Sequence, residues 1–376
     1  MNDIPGIQVA DLDALDPRSF AHNGAINDIE EWWVNHRDWL EECGYKLRPR
    51  YQHGWQPSWN PDTDFYPHFE DGQVSYKGRI MDAVRQLDGV YVVFKKVPMG
   101  PGVDEVEVNR LLSSPALASD PANHSAPLLD VLEVPDEPGQ QLIVMPQLRP
   151  YNNPEFESIG EAIAFFHQIF EGLQFMHQHH IAHRDCTNGN IALDPSGMYP
   201  ESFHPHPRRL HMRRDFKGKA KYYTRTQRPP RYLFIDFGLS RIYPPELGPP
   251  IDIASRGGDK SAPEHIDTDI PCNPLPTDVH YLGNLIRQRF IFKYRGFSFM
   301  RPLVDDMVAQ DPDKRPQMDE VVMRFKEIRA SVSSWKLRSR MVRRDEAILN
   351  GVYHSALHWH RRLGYILTRK PAIPDA

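Results

Sequence analysis

Three short segments, in a fixed order, narrow what this chain can become more than any bulk property does. The first is His183-Arg184-Asp185-Cys186-Thr187-Asn188-Gly189-Asn190, which sets an amide five residues after a carboxylate. The second, Asp236-Phe237-Gly238, follows Tyr232-Leu233-Phe234-Ile235, a buried-strand pattern, so its carboxylate emerges at a strand end. The third is Ala262-Pro263-Glu264. One such triplet arises easily by chance; all three in order, with Asn190 in step, do not.

The octet fits the template H-R-D-x-x-x-x-N, in which the Asp accepts a proton from a substrate hydroxyl and the Asn holds magnesium. On these residues the chain resembles the eukaryotic protein kinase superfamily, and in detail the divergent protein-kinase-like proteins of mushroom-forming fungi. The resemblance covers about residues 66–330. It implies an α+β, bilobal protein-kinase-like fold, with a small β-rich N-lobe, a larger helical C-lobe and the nucleotide cleft between them.

The pattern along the chain agrees. Residues 1–65 form an acidic extension in which Trp32, Trp33 and Trp39 are expected to pack on the main body, since tryptophans are costly to expose. Residues 66–148 are strand-like, with β-rich runs at Tyr91–Lys95 and Gln141–Met145. Residues 149–330 turn helical: Ile159, Ala162, Ile163, Phe166, Ile169, Phe170, Leu173 and Met176 recur at spacings of three and four. Further helices are expected around 278–292, 301–310 and 317–330, and residues 331–376 read as a basic, packed helical tail. His354 and His358 within it are expected to be solvated.

Charge is unevenly placed. The net charge of -5 makes no general case for nucleic acid. Yet residues 1–45 carry Asp3, Asp11, Asp13, Asp16, Asp28, Glu30, Glu31, Asp38, Glu41 and Glu42 against only two arginines. A stretch within 197–231 is as strongly basic, with Tyr222 and Tyr223 interleaved. It lengthens the interval between Asn190 and Asp236 and is expected to leave the C-lobe as a hairpin or loop. It would dock a partner or the acidic extension, more readily than nucleic acid. Cys43, Cys186 and Cys272 make neither a disulfide framework nor a metal pattern. With no secretory signal and no bilayer-length apolar run, a soluble cytoplasmic or nuclear protein with no membrane contact is expected.

The resemblance assigns roles residue by residue. Lys95 matches the strand lysine that bridges ATP phosphates, with Gly89 at the turn before it. Glu107 is the preferred carboxylate to orient that lysine, because Val108 and Leu111 give it an apolar face; Glu105 would then be solvated. The phosphate loop falls on Gln73-Val74-Ser75-Tyr76-Lys77-Gly78, where only the third glycine of G-x-G-x-x-G remains. Lys95, Gly78, Met145, Gln147 and Asp236 are the expected cofactor-binding residues, Asn190 and Asp236 the metal ligands, and Asp185 the catalytic base. ATP and Mg2+ are the cofactors implied.

Other positions depart from the family or anchor its fold. Thr187 stands where Ser/Thr kinases carry a lysine, and Gly257 where they carry a threonine. Losing such a preorganised cation costs about 2.7–4 kcal/mol of transition-state stabilisation if nothing replaces it. Ser240, Tyr243, Ser255 and Ser261 are the hydroxyls of the segment 238–264. Glu264 is expected to pair with Arg315, and Asp278 to hold the catalytic-loop backbone. His177 and His179 are expected to hold no metal. The expectation is an ATP-dependent protein kinase acting on Ser/Thr of a protein substrate. The alternative is a pseudokinase or nucleotide-binding scaffold with little or no phosphotransfer.

Overall fold

The computed structural model describes residues 24–75, 77–100, 102–254, 259–267 and 269–375. The expectations placed on Ser255, Gly257, Tyr76 and the aspartates before residue 24 lie outside the described residues. The architecture is α+β, with an antiparallel sheet early in the chain and helices later. It divides into two units.

The first unit takes in the described residues of Met1–Lys96 together with Leu142–Gln147 and Glu201–Lys221. It opens on α1 (Asp28–Asn35) and α2 (Arg37–Glu42), then β1 (Tyr45–Leu47), β2 (Ile80–Arg85), β3 (Tyr91–Pro98) and β4 (Gln140–Pro146). β1 runs antiparallel to β2 with Leu47 opposite Ala83, and β2 antiparallel to β3 with Ala83 opposite Val92. β4 lies on the other side of β3. Gly89 turns the chain between β2 and β3 at φ +70°, a conformation that favours glycine.

The described part of the extension is closely bonded. Asn27 and Glu30 cap α1 reciprocally, each side chain bonding the other's backbone N–H. Glu30, fully buried, also accepts from Arg50 Nε at 2.9 Å, from the Tyr51 hydroxyl at 2.8 Å and from Ser75 N–H at 3.0 Å. A buried carboxylate is tolerable only when bonded this fully. Trp33, fully buried, stacks on Phe94 of β3 at 6.0 Å, and Lys96 lies over Trp32 at 3.8 Å. Trp32 and Trp33 thus pack on β3, while Trp39 meets His36 of the extension itself at 6.1 Å.

The inserted basic segment meets carboxylates of its own chain. Arg214 bonds Asp82 at 2.7 Å and lies 3.9 Å above the Tyr91 ring, and His204 bonds Glu70 at 3.2 Å. Arg48 completes the cluster, 3.1 Å from Asp82. Residues 201–221 therefore group with the first unit, where a loop leaving the helical half was expected. Arginine–carboxylate pairing, invisible to local composition, decides this.

The second unit takes in Val97–Gln141, Leu148–Pro200 and Tyr222–Ala376. Its longer helices are α3 (Glu105–Leu112), α4 (Ile159–Gln178), α5 (Pro274–Ile286), α6 (Arg301–Met307), α7 (Met318–Ser331) and α8 (Ile348–Leu367). α4 is the core: Ser158 caps its start by accepting Glu161 N–H, and Phe165, Phe166, Ile169, Phe170 and Leu173 are all buried. Phe166 and Phe170 meet Phe325 of α7 edge-on at 6.4 and 5.1 Å. Short strands follow: β5 (Arg149–Pro150), β6 (Ile181–Ala182), β7 (Ile191–Leu193), β8 (Tyr232–Phe234) and β9 (Arg241–Ile242). They form a three-stranded sheet β5-β7-β8 and a two-stranded pair β6-β9. Among the described residues no helix is long and apolar enough to cross a membrane.

Candidate active site

The loop 183–190 is pinned at both ends by strands. β6 delivers it while paired with β9, and β7 takes the chain away while paired with β8. Beneath it lies Asp278 of α5, 0% exposed, whose carboxylate accepts His183 N–H at 2.8 Å and Arg184 N–H at 2.7 Å. His177 Nε2 reaches the same carboxylate at 3.2 Å, which places that histidine in a structural contact. Asp278 holds the loop backbone as expected.

The backbone above this clamp is unusual. Arg184 sits at φ +63°, a left-handed conformation that costs a non-glycine residue on the order of 1–3 kcal/mol and persists only when neighbours over-determine it. Asp278 fixes its N–H, while its guanidinium bonds Ile253 O at 2.7 Å and lies 3.2 Å from Asp252. Tyr243 and Arg241 meet Asp252 too, at 3.1 and 3.3 Å. Asp252 thus gathers the loop and the segment after residue 238, a role the sequence gave no sign of.

Asp185 and Asn190 are brought together directly. Asn190 Nδ2 donates to Asp185 Oδ2 at 2.8 Å and to its carbonyl at 2.9 Å. Ile235 N–H donates to Asn190 O at 3.0 Å, which carries Asp236 to within one residue of that ladder bond. Asp236 is itself left-handed, at φ +64°. His183, fully buried, lies 5.5 Å from Phe234 and 5.3 Å from Phe237, and burial holds its pKa below the ordinary histidine value. It is a packing group, neutral at pH 7. Burial likewise pushes the Cys186 thiol well above its usual pKa, which removes it as a nucleophile.

With Nδ2 committed to Asp185, the amide oxygen of Asn190 is the atom that residue could offer a hard cation, and Asp236 carries a carboxylate that could do the same. Magnesium takes one or two protein oxygens and completes its shell with water and phosphate. Among the described residues no group of three or more His, Cys, Asp or Glu could hold a metal, as a dedicated all-protein site would.

The remaining expected residues are placed as follows. Lys95 stands on β3 opposite Ile80, partly buried. On α3 the expected burial is reversed: Glu105, expected to be solvated, is 4% exposed, whereas Glu107 is exposed. The inward face of α3 is Glu105, Val108, Asn109 and Leu112, at spacings of three, one and three, and Glu107 falls outside it. Met145 is partly buried. Gln147 is buried; its N–H donates to Tyr91 O at 3.0 Å and its side chain accepts from Arg214 at 2.9 Å.

The segment ending at Gly78 is anchored by side chains. Gln73 donates to Pro67 O and Phe69 O, and Ser75 N–H is taken by Glu30. Gly78 has no left-handed φ, and an added Cβ would meet only Ile29, at 3.4 Å. Of the described hydroxyls after Gly238, Ser240 is buried and donates to His183 O, Tyr243 bonds Asp252, and Ser261 bonds His280 at 3.0 Å.

Glu264 and Arg315 form the expected pair, bidentate at 2.6 and 2.9 Å. Burial alone would raise the Glu264 pKa; the bonds from Arg315 and Thr277 bring it down to about 2. In the basic segment, Arg225 is buried and bonds Tyr232 and Tyr151 O, while Tyr222 and Tyr223 stay exposed. His358 is not solvated: it bonds Arg338 O at 2.9 Å. No family model matches the chain, and neither does any curated protein.

Proposed function

We propose that the chain is an ATP-dependent protein kinase with the bilobal fold of that superfamily, transferring the γ-phosphoryl of Mg·ATP to Ser/Thr hydroxyls of a protein. The observation that carries the reading is the loop 183–190 itself. It places Asp185 bonded to Asn190, Asp236 one residue past the Asn190 ladder bond, and a buried Asp278 clamping the backbone behind them. Arg184 and Asp236 are two of six described non-glycine residues at left-handed φ, the others being Asp136, His180, Phe216 and Arg369.

On this reading Asp185 takes the hydroxyl proton as the new P–O bond forms, while the bond from the γ-phosphorus to the β,γ-bridging oxygen breaks and ADP leaves. Asn190 Nδ2 holds its carboxylate in one orientation, so no reorganisation is needed at that moment. Asn190 and Asp236 would hold magnesium, which supplies positive charge to the phosphates. Lys95 keeps its carried-over role on those phosphates, and the carboxylate on α3 assigned to it becomes Glu105, the buried one. Arg184 braces the segment beyond Asp236 through Ile253 and Asp252.

A second reading, a scaffold with little or no phosphotransfer, has specific support. Ser75 N–H, which a phosphate-cradling loop would present to a nucleotide, is bonded to Glu30. Thr187 supplies no cation. The deciding experiment is transfer from γ-labelled Mg·ATP to the protein itself and to generic protein substrates. Labelling that vanishes in Asp185→Asn and falls sharply in Glu105→Gln, but not in Glu107→Gln, supports the kinase. No labelling, together with nucleotide binding that magnesium does not strengthen, overturns it for the scaffold.

A further inference from the structure

α8 lies on the second unit with its polar side inward. Ser355, His358, Arg362 and Tyr365, spaced by three, four and three, face the body. His358 bonds Arg338 O at 2.9 Å, the Tyr365 hydroxyl pairs with Thr224 at 2.7 Å, and Arg362, buried, lies 3.8 Å above the Trp335 ring. The apolar side faces away: Leu349 is 83%, Val352 65% and Leu363 54% exposed. A surface helix held by its core ordinarily shows the reverse.

The outward residues keep a strict spacing. Leu349, Val352, Ala356, Trp359, Leu363 and Ile366 follow one another at three, four, three, four and three. That alternation, a 3.5-residue period, is the seam of a two-helix coiled coil, narrower than the stripe used against a globular core. Ile348, Tyr353 and Leu367, all exposed, widen it, and Trp335 continues it 5.7 Å from Trp359. These exposed side chains run the length of α8, and a standard interface takes about 800 Å² from each partner. Monomers rarely leave so large a patch uncovered.

Charge selects the occupant. α8 contains no Asp or Glu, and its two arginines are committed, Arg361 to Glu157 and Arg362 to Trp335 and Trp359. An acidic helix or an anionic lipid surface finds no uncommitted arginine on this helix, and two copies of the seam bring no like charges together. We propose that two copies of this chain associate through the Leu349–Ile366 seam of α8, one copy's seam against the other's, as closed two-fold pairing requires.

The test is sedimentation velocity on the full chain from low to high micromolar concentration. Wild type is expected to shift to twice the chain mass. The double variant Leu349→Glu/Leu363→Glu should stay monomeric, with dimer affinity at least a hundredfold weaker and a circular dichroism melt matching that of wild type diluted to its monomer, because the inward contacts of α8 are untouched. Leu357→Glu, exposed but off the seam, should leave the dimer intact. Val352→Asp gives the same reading if the double variant melts early. A wild type that stays monomeric, a dimer that survives the seam variants, or a monomer that instead sediments with anionic vesicles would each overturn the proposal.

Discussion

Asp278 shows how one side chain can decide the geometry of a whole loop. Two backbone N–H groups, those of His183 and Arg184, end on its fully buried carboxylate. Asp278→Asn puts an amide N–H where an acceptor is needed, so one buried donor loses its partner. The expected cost is about 1–3 kcal/mol, read as a lower urea midpoint with an unchanged slope. The Asp278 clamp and the Glu264–Arg315 pair could be named from the sequence because their motifs specify them, and both contacts form. Glu105 and Glu107 could not be told apart so simply. Both lie on the same short helix, and only the observed face, shared with Val108, Asn109 and Leu112, separates the buried carboxylate from the exposed one.

At the scale of elements, long periodic segments were readable and short ones were not. α4 was legible because eight apolar residues keep one helical face over five turns. β1 was not: three residues, Tyr45–Leu47, carry too little pattern and become a strand only by pairing with β2. α4 also passes close to β8, the strand leading to Asp236. A Cβ on Gly172 would lie 2.5 Å from His124 Cβ and 3.0 Å from the Phe234 ring. Gly172→Ala should therefore destabilise by about 1–3 kcal/mol, despite the better helix propensity of alanine. A lower thermal midpoint checks this. An unchanged or raised midpoint would mean that β8 can shift away.

For the whole molecule, buried histidines set the response to acid. Burial holds His183, His204, His206 and His280 below the ordinary histidine pKa, His280 at about 4. Above pH 6.5 these groups are neutral whether folded or unfolded. Between 6.5 and 4 the unfolded chain binds protons that the folded chain refuses, so stability falls with pH across that window. His280, 1% exposed, accounts for a loss on the order of 3 kcal/mol over the window. Glu161, whose pKa burial raises, acts in the opposite sense, so the total slope mixes both effects. His280→Gln should flatten the decline in midpoint from pH 6.5 to 4 relative to wild type. An equally steep decline would show that His280 is already accessible to protons. Glu264, at about 2, contributes its own loss only below about pH 4.5.

Local sequence alone determined the α+β class of the fold, the long helices and the two strands read at Tyr91–Lys95 and Gln141–Met145. Those features follow from periodicity and from β-rich runs. Tertiary structure decided what depends on distant partners. Glu30 is consumed by Arg50, Tyr51 and Ser75, and Asp252 gathers Arg184, Arg241 and Tyr243. The basic insertion spends Arg214 on Asp82 of its own chain, and α8 turns its apolar side outward. The physical reason is the same in each case. A charged or amphipathic residue is satisfied by whichever partner folding brings near, and that choice is not written in the residues beside it.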